Sequence, residues 1–222
     1  MGEGTALVVG VGPGLGLALA RACAADGHPV ALFGRSAGRL KEYRDALVAA
    51  GRTAGAYPVD VTDHEGLRAA LVRATDELGA PELLVYNAAL LVPDTPTGLE
   101  PEEFAEALAV NVTGAMVAAR TVLPLLAGGR GSLLFTGGAY ALDPSPERTS
   151  LSVGKAALRA YVQALHKQRL ALPDNGVQVT TVTVAGRIDG GEPRFAATAL
   201  AAAYLDLHHR PESAWQAELL YT

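Results

Sequence analysis

Seven short apolar runs alternate with longer stretches of helical periodicity, and this alternation restricts the fold more than any other feature of the chain. The runs fall at 5–10, 29–34, 53–60, 82–89, 131–138, 176–186 and 214–221. Helical stretches lie between them at 16–27, 37–51, 63–78, 101–127, 150–172 and within 192–209. The runs are continuously apolar, the pattern of strands covered on both faces. Crossovers of this length predict a parallel, doubly wound α/β sheet of about seven strands. No repeat, low-complexity tract or linker interrupts the rhythm, so 1–222 reads as a single domain.

Composition narrows the classes. Half of the 222 residues are hydrophobic, enough for one large core. A net charge of −5 offers no basic field, which argues against nucleic acid as a partner. The lone Cys23 excludes an intramolecular disulfide framework and, on a helix facing the sheet, reads as a buried inert thiol. The first residues show neither a basic stretch nor a small-residue cleavage site, and no apolar run is expected to reach the length of a membrane span. These features predict a cytoplasmic chain with no membrane partner.

The first run opens directly into Gly10-Val-Gly-Pro-Gly-Leu-Gly16. As G-x-x-x-G-x-G the glycines are Gly10, Gly14 and Gly16. Small residues there let the backbone approach a pyrophosphate at the N-terminus of the next helix, where free N–H groups and the helix dipole favour an anion. A tight turn without a ligand is the alternative. Its place between a first strand and a first helix makes this a Rossmann-type dinucleotide fingerprint.

After the second run, Gly34 stands where an acid would accept bonds from the ribose of NAD, and Arg35 follows, nineteen positions after Gly16 (35 − 16). Arginine pairs with a 2′-phosphate and no carboxylate repels it, so NADP is expected rather than NAD. Asp60 and Val61 close the third run. They suit an adenine edge and face, and Asp60 equally suits a helix N-cap, which Asp63 could also supply. The paired His208 and His209 lack acidic or sulfur partners at a metal-ligand spacing and read as a helix end, so no metal site is expected. Trp215 reads as packing for the last strand.

Together these features resemble the short-chain dehydrogenase/reductase family across essentially the whole chain. The family's N-A-G appears as Asn87-Ala88-Ala89, its helix Asn as Asn111, and its lysine as Lys155 in Ser150-Leu-Ser-Val-Gly-Lys155-Ala-Ala-Leu158. The resemblance implies that Lys155 holds the nicotinamide ribose and that Asn111 holds a water linking the lysine to solvent. It also implies cofactor contacts from Leu15 and Ala88, and from Gly186 and Ile188 beyond the sixth strand. It further implies a small-molecule substrate and, through the two long helices, a homodimer or homotetramer.

The family's tyrosine position holds Leu151, and its serine position, thirteen residues earlier, holds Gly138. A positioned acid contributes typically ~10²–10⁴ in rate. Tyr140 is the nearest replacement in sequence, read either as a proton donor or as a pocket wall, while Tyr86 reads as core. Lys155 itself could donate a proton if burial lowered its pKa. Three readings follow: an NADP(H)-dependent oxidoreductase with a divergent site, a nucleotide-binding homologue without turnover, and a non-redox enzyme on the same fold.

Overall fold

The computed structural model describes residues 4–172 and 176–222. Seven strands, β1 (Thr5–Val9), β2 (Val30–Gly34), β3 (Ala54–Pro58), β4 (Pro81–Tyr86), β5 (Arg130–Thr136), β6 (Gly176–Val184) and β7 (Glu218–Tyr221), form one sheet in the order β3-β2-β1-β4-β5-β6-β7. Every neighbouring pair is parallel. The strand order reverses between β1 and β4, and the ends of those strands open the crevice where such sheets bind ligands.

Both sheet faces are buried, as the continuous runs require. Along β1, Leu7 and Val9 face the core made by helices α3 (His64–Leu78), α5 (Gly114–Val122) and α6 (Thr149–Leu170). Ala6 and Val8 face the core made by α1 (Leu15–Asp26), α2 (Ala37–Ala49) and α7 (Ala197–His208). Cys23 is buried in that second core, and burial pushes its thiol up to about 12, so it stays a protonated packing group.

Three expectations are corrected. The helix expected over 101–127 is α4 (Pro101–Leu108), a π-helical turn (Ala109–Thr113), α5 and a short 3₁₀ turn (Leu123–Leu125). The cause is non-local: the buried Tyr86 hydroxyl donates to the Val110 carbonyl at 2.6 Å, drawing it out of the helical ladder. The same segment, Pro101–Leu125, is long and apolar enough, at a mean hydropathy of 1.4, to cross a membrane by length and composition alone. In the fold, its Ala115, Val117, Ala118, Ala119 and Val122 pack into the core against the sheet. The last strand is shorter than the run 214–221, because Trp215 lies in the preceding loop, where its Nε1–H donates to the Arg210 carbonyl.

Candidate functional site

The glycines of the first turn divide into two kinds. Gly10 sits at φ +93°, and a Cβ there would lie 2.3 Å from the Ala88 nitrogen. A Cβ on Gly16 would lie 2.4 Å from the Gly10 carbonyl oxygen. Those two are demanded by the close approach of β1, α1 and the loop after β4. Gly12 and Gly14 are not: a Cβ on either meets nothing within 4 Å. Their bareness leaves backbone open at the start of α1, as a pyrophosphate cradle requires. The Leu15 side chain is buried in the core, so only its backbone is available to a ligand there.

A cleft of about 570 Å³ runs from this turn along the ends of β2, β3 and β4. It brings together Gly10, Arg35, Asp60, Val61, Asn87 and Ala88, six of the residues expected from sequence. Asp60 is not a helix cap; Asp63 caps α3 by accepting from the Gly66 N–H at 3.0 Å. The Asp60 carboxylate instead accepts the backbone N–H and hydroxyl of Thr62, and the N–H bond first, with the Arg35 charge assisting, holds it below the usual carboxylate range.

The cleft also contains two residues that sequence reasoning missed, Ser36 and Arg39. Arg39 lies in the first turn of α2, four positions after Arg35, and that turn carries no acid. Two exposed guanidinium groups without ion-pair partners among the described residues thus stand at the positive end of a helix. The acids that line the same cleft are Asp60, which the Arg35 charge steadies, and Glu106. The spacing of Arg35 and Arg39 was the available signal.

At the other end of the turn, one hydrogen-bonded network ties five elements. Asn87 Nδ2 donates to the Gly10 carbonyl at 3.0 Å, and Asn87 Oδ1 accepts from Thr136 Oγ1 at 3.0 Å. Having given its proton to Asn87, the Thr136 hydroxyl accepts from Tyr204 of α7 at 2.8 Å. The Thr136 carbonyl receives Lys155 Nζ at 2.7 Å. Lys155 is buried, and desolvation pushes it down to about 8. Asn111 lies in the π-helical turn against Gly154 and accepts from the Leu90 N–H at 3.0 Å. Its Nδ2 is buried without a partner, a donor that suits a water or a polar ligand atom.

The remaining expected residues lie apart. Tyr140 is in a 3₁₀ turn after β5, 40% exposed and without a hydrogen bond among the described residues. Gly186 packs on the buried Phe195, and a Cβ there would lie 2.2 Å from its ring, while Ile188 packs under α7. Leu151 is buried on α6, and Gly138 lies beside Lys155, whose Cγ is the nearest atom a Cβ would meet, at 4.0 Å. Ser150 and Ser152 do not reach toward Leu151's position: Ser150 donates to Asp94, which caps α6, and Ser152 donates to the Arg148 carbonyl.

A glycine turn at the switch point, a cleft lined by Arg35 and Asp60, and a buried lysine bonded at the end of β5 are the arrangement of dinucleotide-binding doubly wound proteins. The short chain dehydrogenase family matches residues 4–188, and the chain belongs to that family. It is 28% identical to glucose 1-dehydrogenase of Gluconobacter oxydans (strain 621H) over 181 residues, 79% of this chain and 66% of that one. It is 30% identical to 2,3-dihydro-2,3-dihydroxybenzoate dehydrogenase of Bacillus subtilis (strain 168) over 161 residues, 72% of this chain and 62% of that one. The chain spans less than two thirds of the length of these curated relatives. Among solved structures, a metagenomic short-chain oxidoreductase in complex with NADP superposes at a TM-score of 0.88, with 22% identity and 98% and 96% of the two chains covered. An alcohol dehydrogenase from the archaeon Thermococcus sibiricus, complexed with 5-hydroxy-NADP, superposes at 0.86, with 25% identity and 98% and 95% covered.

Proposed function

We propose that this chain is an atypical NADP(H)-dependent oxidoreductase acting on a small-molecule substrate, in which Lys155 replaces the family's tyrosine as proton donor. The observation that carries the cofactor choice is the pair Arg35 and Arg39 at the start of α2, without an ion pair among the described residues and lining one cleft with Asp60 and Val61. Two solved structures of the same fold, with NADP and 5-hydroxy-NADP in their complexes, agree with that choice. The bare Gly12 and Gly14 would hold the pyrophosphate, and Arg35 and Arg39 the 2′-phosphate.

When bound, the nicotinamide supplies the hydride. The family's two hydroxyl positions hold Leu151 and Gly138, which carry no proton to give. Lys155, lowered to about 8 by burial, has a driving force for proton transfer suited to near-neutral pH. Reduction of a C=O, C=N or activated C=C bond then places the hydride on carbon and the Lys155 proton on the other end of the polarised bond. Loss of the hydroxyl pair makes ordinary ketones poor substrates. Exposed Val153, Ala156, Ala160 and Ala164 form an apolar stripe on α6, which supports a homodimer or homotetramer built through that helix.

The test is NADPH oxidation against a panel of ketones, imines and enones across pH. A rate that falls as pH rises through about 8, and is lost in Lys155→Met, supports the assignment. NADPH binding with no turnover of any acceptor favours the second reading, a nucleotide-binding homologue without redox activity, to which Leu151 and Gly138 also point.

A further inference from the structure

The N-terminal ends of the strands, opposite the cleft, carry a second constellation. His28 follows α1, Glu82 is the second residue of β4, and His208 ends α7; no two are near in sequence. One donor atom from each lies within 4.8 Å of the other two. The fold thus brings His208 a second imidazole and a carboxylate from distant parts of the chain.

The hydrogen bonds around the cluster fix which atoms are free. His28 Nδ1 lies 2.8 Å from the Gly4 carbonyl, which can only accept, so Nδ1 carries a proton and Nε2 is the nitrogen left for a ligand. That Nε2 is buried and makes no hydrogen bond, although Asp26 Oδ2 is 3.3 Å away. The same Asp26 oxygen lies 2.9 Å from His209 Nε2, so a cation at His28 Nε2, a proton or a metal ion, would sit beside a carboxylate. The Ser132 hydroxyl donates to Gln178 Oε1 at 3.2 Å and therefore accepts from His208 Nδ1 at 2.9 Å, leaving His208 Nε2 free as well. Glu82 Oε2 accepts the Gly4 N–H at 3.0 Å, leaving its other oxygen. Each candidate ligand is thus held from behind, by a carbonyl, a hydroxyl or an N–H, as metal-binding side chains are.

We propose that His28, Glu82 and His208 bind one divalent first-row transition-metal ion of the Zn²⁺ class, with the Asp26 carboxylate beside them. Two imidazoles and a carboxylate select such an ion over Mg²⁺ or Ca²⁺, which take oxygen ligands. Bonds of about 2.0–2.2 Å need the donor atoms to close by roughly an ångström, a shift within reach of the half-buried Glu82 side chain. The ion would clamp the α1–β2 turn, the start of β4 and the end of α7 together, and the site stands independently of any nucleotide in the cleft.

The experiment uses the full chain without a histidine tag, stripped by chelation and titrated with Co²⁺ by visible absorption and with Zn²⁺ by calorimetry. One ion per chain is expected, with the intense absorption of four-coordinate Co²⁺, and no response to Mg²⁺. His208→Gln and Glu82→Gln should each weaken binding by at least ~10-fold. Zn²⁺ should raise the melting temperature of the parent and not of the variants. Imidazole ¹⁵N spectra of the parent protein make the test independent of the variants' folding: Zn²⁺ should shift Nε2 of His28 and His208. No binding at millimolar Zn²⁺, binding unchanged by both substitutions, or shifts confined to other histidines overturns the proposal.

Discussion

Lys155 Nζ donates to the carbonyl oxygen of Thr136 at 2.7 Å, at the point where β5 ends. The Thr136 hydroxyl is bonded on one side to Asn87 and on the other to Tyr204. The glycine turn, the buried lysine and α7 are therefore registered through one threonine. Removing the Tyr204 hydroxyl in Tyr204→Phe should cost about 1 kcal/mol in urea unfolding, the net value of one hydrogen bond, without altering the sheet. A larger effect on NADPH affinity than on stability would show that the network positions the turn.

The depressed Lys155 gives a pH dependence with a defined sign. Between about 8 and the ordinary lysine value of 10.5 the unfolded chain holds a proton on this lysine that the folded chain does not. Stability contributed by the group therefore rises with pH across that window and is lowest below it. The full difference is about 3 kcal/mol at roughly 1.4 kcal/mol per pKa unit. The stability of Lys155→Met minus that of the parent, from urea midpoints, should be larger near neutrality than at about pH 10. An equal difference at both would contradict a charged lysine buried at a cost.

The two kinds of glycine separate folding from binding. Gly10→Ala and Gly16→Ala place a Cβ 2.3 Å and 2.4 Å from backbone atoms and should destabilise by about 1–3 kcal/mol. Gly14→Ala meets nothing within 4 Å and should change stability by no more than about 0.5 kcal/mol. It should nonetheless weaken NADPH binding, because the added methyl stands where the cradle is bare. Thermal melting and nucleotide titration on the same three variants check this.

Restoring the missing hydroxyls tests the identity of positions 138 and 151. Gly138 has extended backbone, φ −171°, and a Cβ there meets no atom nearer than 4.0 Å, so serine is accommodated. The double variant Gly138→Ser, Leu151→Tyr should raise ketone reduction by about 10²-fold or more over the parent. An unchanged rate, with NADPH binding intact, would place the family's reacting centre elsewhere in this chain.

The fold was legible because alternation of strand and helix is a local pattern, and so was the place of Gly10 and Arg35 on one cleft, because both follow directly from strands that the pattern locates. Features made by distant contacts were not. The π-helical turn depends on Tyr86 reaching Val110, and the packing demand on Gly186 comes from Phe195. Arg39 was overlooked since its place in the cleft depends on how α2 begins after Ser36. The His28, Glu82 and His208 cluster needs three elements brought together at the N-terminal ends of the strands, and spacing along the chain carries no trace of that.

The measurement that bears most directly on the central claim is a fluorescence titration of NADPH and of NADH into the parent protein, Arg35→Ala and Arg39→Ala at fixed salt. Micromolar NADPH binding is expected, weaker NADH binding, and a loss of about 10–100-fold for NADPH in each variant, the value of a charge-assisted bond. NADH should be nearly unaffected by either change. Equal affinity for the two nucleotides in the parent, unmoved by both substitutions, would contradict a 2′-phosphate site at the start of α2.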